Sequence, residues 1–98
     1  MAFIDEYDFE LLKNEAELIV INEVEQQLKS EPENVCRCNE CVVDMAAIAL
    51  NTVKPLYRFS LLGTLYASQA MTEQSYANSV KTAVTFAIQK VRTNPSHQ

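Results

Sequence analysis

The sequence predicts a small, compact, mainly α-helical domain, and three observations carry that prediction. One Gly and three Pro in 98 residues are too few for the turns of a β-barrel or sandwich. Apolar residues recur at helical spacing in two long segments, near either end of the chain. At 48% hydrophobic and 21% charged, the chain is apolar enough to fold, and 98 residues fit one domain of ordinary size. Three to four helices are therefore expected in a single domain over residues 1–98. A short extended segment is expected near residues 57–67, and residues 93–98 read as a frayed tail.

The first helix is predicted from about Asp8 to Ser30. Leu12, Ala16, Ile19, Val20, Val24 and Leu28 form one helical stripe. Asp8 suits an N-cap, and Glu10 places negative charge where the helix dipole favours it. Leu11, Leu18 and Ile21 lie off the stripe and widen the apolar surface. A partner in a homodimer would cover them, as would two helices of the same chain. Pro32 ends the segment, because it cannot continue a helix and disfavours helical geometry at Glu31.

A second helix is predicted from about Cys41 to Thr52, with Met45, Ala46, Ile48, Ala49 and Val53 available for burial and Lys54-Pro55 as its stop. From Leu56 to Met71 the pattern is weaker, and the only Gly, Gly63, suggests a turn or short hairpin. The last helix is predicted from Thr72 or Glu73 to Arg92. Tyr76, Val80, Ala83, Val84, Ala87 and Val91 line its apolar face, while Lys90 and Arg92 suit its negative end.

The formal charge of −5 hides a division. Residues 1–44 sum to −9 and residues 45–98 to +4. A net acidic chain is a poor binder of long nucleic acids, whose affinity comes from cations on phosphates. A local anion site in the basic half is still compatible with that balance. The N-terminus lacks the charged and apolar regions of a signal peptide, and the most apolar stretch, Val42 to Leu50, is too short to cross a bilayer. A cytoplasmic protein with reduced cysteines is expected.

Two clusters carry chemistry. Cys36-Arg37-Cys38-Asn39-Glu40-Cys41 puts three thiols within six residues, in a loop that enters a helix. Thiolates are preferred ligands of structural zinc, and a helix N-terminus with a nearby Arg favours the thiolate. A closed zinc site needs four ligands. Asp44, His97 or a group from a second protomer could supply the fourth, and three simple reduced cysteines are the plain alternative. Cys38 and Cys41 as a redox pair would need a parallel sheet that nothing here predicts.

The second cluster is Asn51-Thr52-Val53-Lys54-Pro55-Leu56-Tyr57-Arg58-Phe59. Lys54 and Arg58 project from a loop constrained by Pro55, and Arg suits forked contact with a phosphate or a guanine edge. Tyr57 can stack on a base, and Asn51 adds an amide. Together Asn51, Lys54, Pro55, Tyr57 and Arg58 form a candidate anion or nucleotide site. The plain alternative is a helix-ending loop with Tyr57 and Phe59 as core anchors. The lone His97 lies in the tail, and one Gly excludes P-loop and dinucleotide fingerprints, so the sequence points away from an enzyme.

Cys36-x-Cys38-x-x-Cys41-x-x-Asp44, Ala47-x-Ala49-Leu50-Asn51 and Lys54-Pro55-x-Tyr57, in that order and spacing, resemble the late competence development protein family ComFB. The resemblance runs from the first helix to the last and is most specific over residues 36–57. It implies a small, helical, cytosolic homodimer that acts as a non-enzymatic receptor for cyclic dinucleotides, chiefly cyclic di-GMP and also cyclic di-AMP. Such receptors serve second-messenger signalling in motility, pili or competence, through a downstream effector protein. By the resemblance, Cys36, Cys38 and Cys41 match a zinc-binding cluster, and Lys54, Pro55 and Tyr57 match the K-P-x-Y segment. Zinc-binding members supply a further Cys near the end of the last helix, where this chain has Arg92. The competing expectation is a zinc-stabilised helical module that binds another protein.

Overall fold

The computed structural model describes residues 2–30, 34–58 and 74–95. Among these residues three α-helices dominate: α1 (Ala16–Ser30), α2 (Asn39–Leu50) and α3 (Gln74–Thr93). Two single 3-10 turns, Phe3–Glu6 and Phe9–Leu11, precede them. Strands β1 (Lys13–Asn14) and β2 (Tyr57–Arg58) pair antiparallel, with Lys13 opposite Arg58 and Asn14 opposite Tyr57.

The helical class holds, and so does the small extended piece at Tyr57. The start of the first helix does not. The Asp8 carboxylate accepts from the Glu10 backbone N–H and stabilises a 3-10 turn instead of an α-helix. The chain then extends through β1, and α1 begins at Ala16, eight residues later than the predicted start at Asp8. There the Asn14 side-chain oxygen accepts from the Ala16 N–H (3.1 Å), satisfying a donor that the helix cannot. Leu12 consequently leaves the stripe and stands half exposed. The expected hairpin around Gly63 and the Thr72–Glu73 cap lie outside the described residues, as does His97.

Helix α2 is shifted two residues toward the N-terminus of the predicted span. Its end comes before Lys54-Pro55, because Asn51 and Thr52 close it with their own groups. The Asn51 amide donates to the Ala47 carbonyl (3.0 Å), and the Thr52 hydroxyl donates to that of Ala49 (3.1 Å). Ahead of the N-terminus of α2, Arg37 donates to the Leu28 carbonyl (2.6 Å) and to that of Val35 (3.1 Å). It thereby satisfies a carbonyl in the last turn of α1.

The core lies where the three helices meet. Ala16, Val20 and Val24 of α1 face Met45 and Ala49 of α2, and Val80, Val84, Ala87, Ile88 and Val91 of α3 complete it. The alanines let the backbones approach, while Met45 and Ile88 fill the space between them. Gln27 fastens α1 to α3 at the surface, accepting from the Thr85 hydroxyl (3.0 Å) and donating to the Lys81 carbonyl (3.1 Å). Leu18 and Ile21 remain at least half exposed on the outer face of α1. Among the described residues, no helix is long and apolar enough to cross a membrane.

Candidate functional site

The loop after α2 is held rigid from below. Val53 and Leu56 are buried in the core, and Lys54, Pro55 and Tyr57 alternate with them at the surface. The Leu56 N–H donates to the Asn14 side-chain oxygen (2.8 Å), and the Leu56 carbonyl accepts from the Glu15 N–H (2.8 Å). A third tie comes from α3. The Tyr76 hydroxyl donates to the Lys54 carbonyl (2.9 Å), and burial raises the pKa of that phenol above its ordinary 10.0. Lys54 therefore sits on a backbone pinned at its own carbonyl, with its side chain in solvent.

Tyr57 is 55% exposed, which sets aside its reading as a core anchor and leaves the ring available for stacking. Asn51 is also at the surface, but its amide N–H is engaged by the Ala47 carbonyl. Phe59 lies outside the described residues. The strand pairing adds a cation that the sequence reading did not single out. Lys13, from the acidic half, stands opposite Arg58 in the β1–β2 ribbon. No local signal marks it, because its partner is 45 residues away along the chain. Only the pairing joins them.

The cysteine cluster forms the second candidate site. Cys38 is the N-cap of α2, in extended geometry, and its sulfur accepts from the Cys41 N–H (3.4 Å). Cys41 is fully buried on the first turn of α2, and Cys36 and Cys38 are partly buried beside it. The three sulfurs lie within 4.8 Å of one another. A tetrahedral zinc with bonds of about 2.3 Å holds its sulfurs about 3.8 Å apart, so small side-chain rotations would seat one. The donor set and spacing fit a soft metal such as zinc at three positions. Among the described residues, Asp44 does not join the group as a fourth ligand.

These features define a class: among the described residues, three helices with a two-residue ribbon, a cysteine-capped central helix and a pinned lysine loop. The chain belongs to the ComFB family, described as late competence development protein ComFB, whose family model matches residues 13–95. Among solved structures it is similar to the late competence protein ComFB from Bacillus subtilis, at 23% identity and a TM-score of 0.61. That alignment covers 87% of this chain and 94% of the other. No curated protein matches the chain.

Proposed function

We propose that this protein is a cytoplasmic, non-enzymatic receptor for a cyclic dinucleotide, cyclic di-GMP or cyclic di-AMP, and that it works as a homodimer. The observation that carries the reading is the ribbon register. It sets Lys13 opposite Arg58, one residue from exposed Tyr57 and close in sequence to pinned Lys54. Like charges directly opposite on an antiparallel pair destabilise it, and a phosphate beside them removes that penalty. The ring of Tyr57 supplies a face for a base. A cyclic dinucleotide has two phosphates and two bases related by near-twofold symmetry, which matches two copies of one site. The ligand would bias contacts to an effector protein, in competence, pili or motility.

Calorimetry with cyclic di-GMP and cyclic di-AMP tests this reading. Binding is expected for one of them, weakened about tenfold or more by Lys54→Ala, by Tyr57→Ala and by Lys13→Ala. Absence of heat with both ligands on folded protein would overturn the receptor reading.

The cysteine cluster favours a second reading, a zinc-stabilised module that presents its helices to a protein partner. Elemental analysis of protein purified without a metal-affinity tag decides it. Stoichiometric zinc with loss of structure on chelation supports the module, since structural zinc couples to folding.

A further inference from the structure

The three cysteines differ in position, and the difference assigns them unequal chemistry. Cys38 caps α2, and its sulfur accepts from the Cys41 N–H across the first turn (3.4 Å). The Cys38 side chain therefore already lies over the backbone that carries Cys41. A Cys-x-x-Cys spacing across a first helical turn is one that a disulfide spans by side-chain rotation. All three sulfurs are within 4.8 Å of one another, and none is in a disulfide. Cys36 stands ahead of the helix, outside the turn that sets the other two in register.

Exposure separates the pair further. Cys38 is only partly buried, whereas Cys41 is sealed in the core with Met45 and Ala49. A small oxidant reaches Cys38 first, and Cys41 meets only what Cys38 passes to it. Reactive pairs of this spacing ordinarily stand on a βαβ unit, which gives the first cysteine a helix N-terminus. Helix α2 gives Cys38 that N-terminus without the sheet.

We propose that Cys38 and Cys41 form a peroxide-responsive dithiol–disulfide pair, in which Cys38 reacts first and Cys41 resolves it. The oxidant is hydrogen peroxide or an organic hydroperoxide. The Cys38 sulfur gives up its proton and bonds to one peroxide oxygen. The O–O bond breaks, and the other oxygen leaves with that proton as water or an alcohol. Cys38 is then a sulfenic acid. The Cys41 sulfur, losing its own proton, bonds to the Cys38 sulfur, and the S–O bond breaks to release a water. One peroxide is reduced, and two thiols become one disulfide. The bond ties the first turn of α2 to a loop that Arg37 already fastens to the Leu28 carbonyl of α1. It also withdraws two of the three sulfurs from any metal, so the oxidised pair and a seated metal exclude each other. This chemistry is independent of the receptor reading.

Peptide mapping tests it. Reduced protein is exposed to a small excess of hydrogen peroxide, its remaining thiols are alkylated, and it is cut with trypsin. Cleavage after Arg37 parts Cys36 from Cys38 and Cys41. The expected product is a single peptide holding Cys38 and Cys41, lighter by two hydrogens, beside an alkylated Cys36 peptide. Dithiothreitol should return all three thiols. Cys36→Ser should form the same bond at an unchanged rate, and Cys38→Ser should slow thiol loss at least about fivefold. Cys41→Ser should stop at a sulfenic acid on Cys38 that dimedone traps. Because Cys41 is buried, that variant is read only with helical circular dichroism intact, and the wild-type map stands without it. Peptides joined through Cys36 overturn the proposal. So do three unreacted thiols after peroxide, or oxidation that dithiothreitol does not reverse.

Discussion

Asn14 is the residue on which the candidate site turns, and nothing in its local sequence announces this. One side-chain oxygen accepts from the Ala16 N–H and from the Leu56 N–H, joining the start of α1 to the lysine loop 42 residues later. Asn14→Ala leaves two backbone donors without that acceptor. It should cost about 1–3 kcal/mol in a denaturant titration and weaken ligand binding. Asn14→Asp keeps the acceptor and should recover most of both. Tyr76 gives a second test at this scale. Its phenol is buried, so its folded pKa lies above the unfolded 10.0. Its contribution to stability is full below pH 10 and falls as pH rises through the folded value, because the unfolded chain releases the proton first. Tyr76→Phe removes that part of the alkaline loss. It also removes a hydrogen bond to the Lys54 carbonyl, worth about 1 kcal/mol at neutral pH. Urea midpoints of the wild type and variant, compared at pH 8 and pH 11, should converge.

The elements differ in how much of each the sequence displays. Helix α3 is nearly complete in the pattern. Every residue of its predicted stripe is buried, and Ile88 extends it, because a stripe facing two other helices must repeat every 3.6 residues. Helix α1 shows its register but not its start. Leu12 continues the periodicity into a region where an Asx turn and a strand pairing compete with the helix, and both win. Spacing cannot express that competition, since the strand's partner lies beyond α2. The cysteine motif is legible as a cluster, whereas the double role of Cys38 is not. Its sulfur caps α2 and also belongs to the metal-capable trio. The two roles can be separated. Cys38→Ser keeps a hydroxyl acceptor for the cap and should hold thermal stability near that of the metal-free chain. Cys38→Ala should lose about 1 kcal/mol through the lost cap, with or without metal. If zinc is bound, both variants should lose the drop in melting temperature that a chelator produces in the wild type.

At the scale of the molecule, the division of charge bears on which phosphates can bind. The ribbon carries Lys13 out of the acidic half to stand opposite Arg58, so the candidate site draws cations from both halves of the chain. The sequence alone assigned that role to Lys54 and Arg58, and it could not count Lys13 because strand pairing is a long-range contact. The surroundings stay acidic: Asp8, Glu10, Glu15 and Glu17 lie within five residues of Lys13. A long nucleic acid that reached the ribbon would carry its remaining phosphates past those carboxylates, and the repulsion would outweigh two or three contacts. A cyclic dinucleotide ends where the cations end. The proposed receptor should therefore bind a cyclic dinucleotide in calorimetry and fail to shift single-stranded oligonucleotides of any composition. Raising salt from about 50 to about 300 mM should weaken the small ligand by less than about tenfold. Local charges are screened over a Debye length of some 10 Å, and a dinucleotide has no condensed ion atmosphere to release. A steep salt dependence would place the binding energy in diffuse charge rather than in the pinned loop. Substituting Glu15 and Glu17 by Gln should then decide the matter, because it should admit oligonucleotides while leaving the cyclic ligand's affinity within a few-fold of wild type.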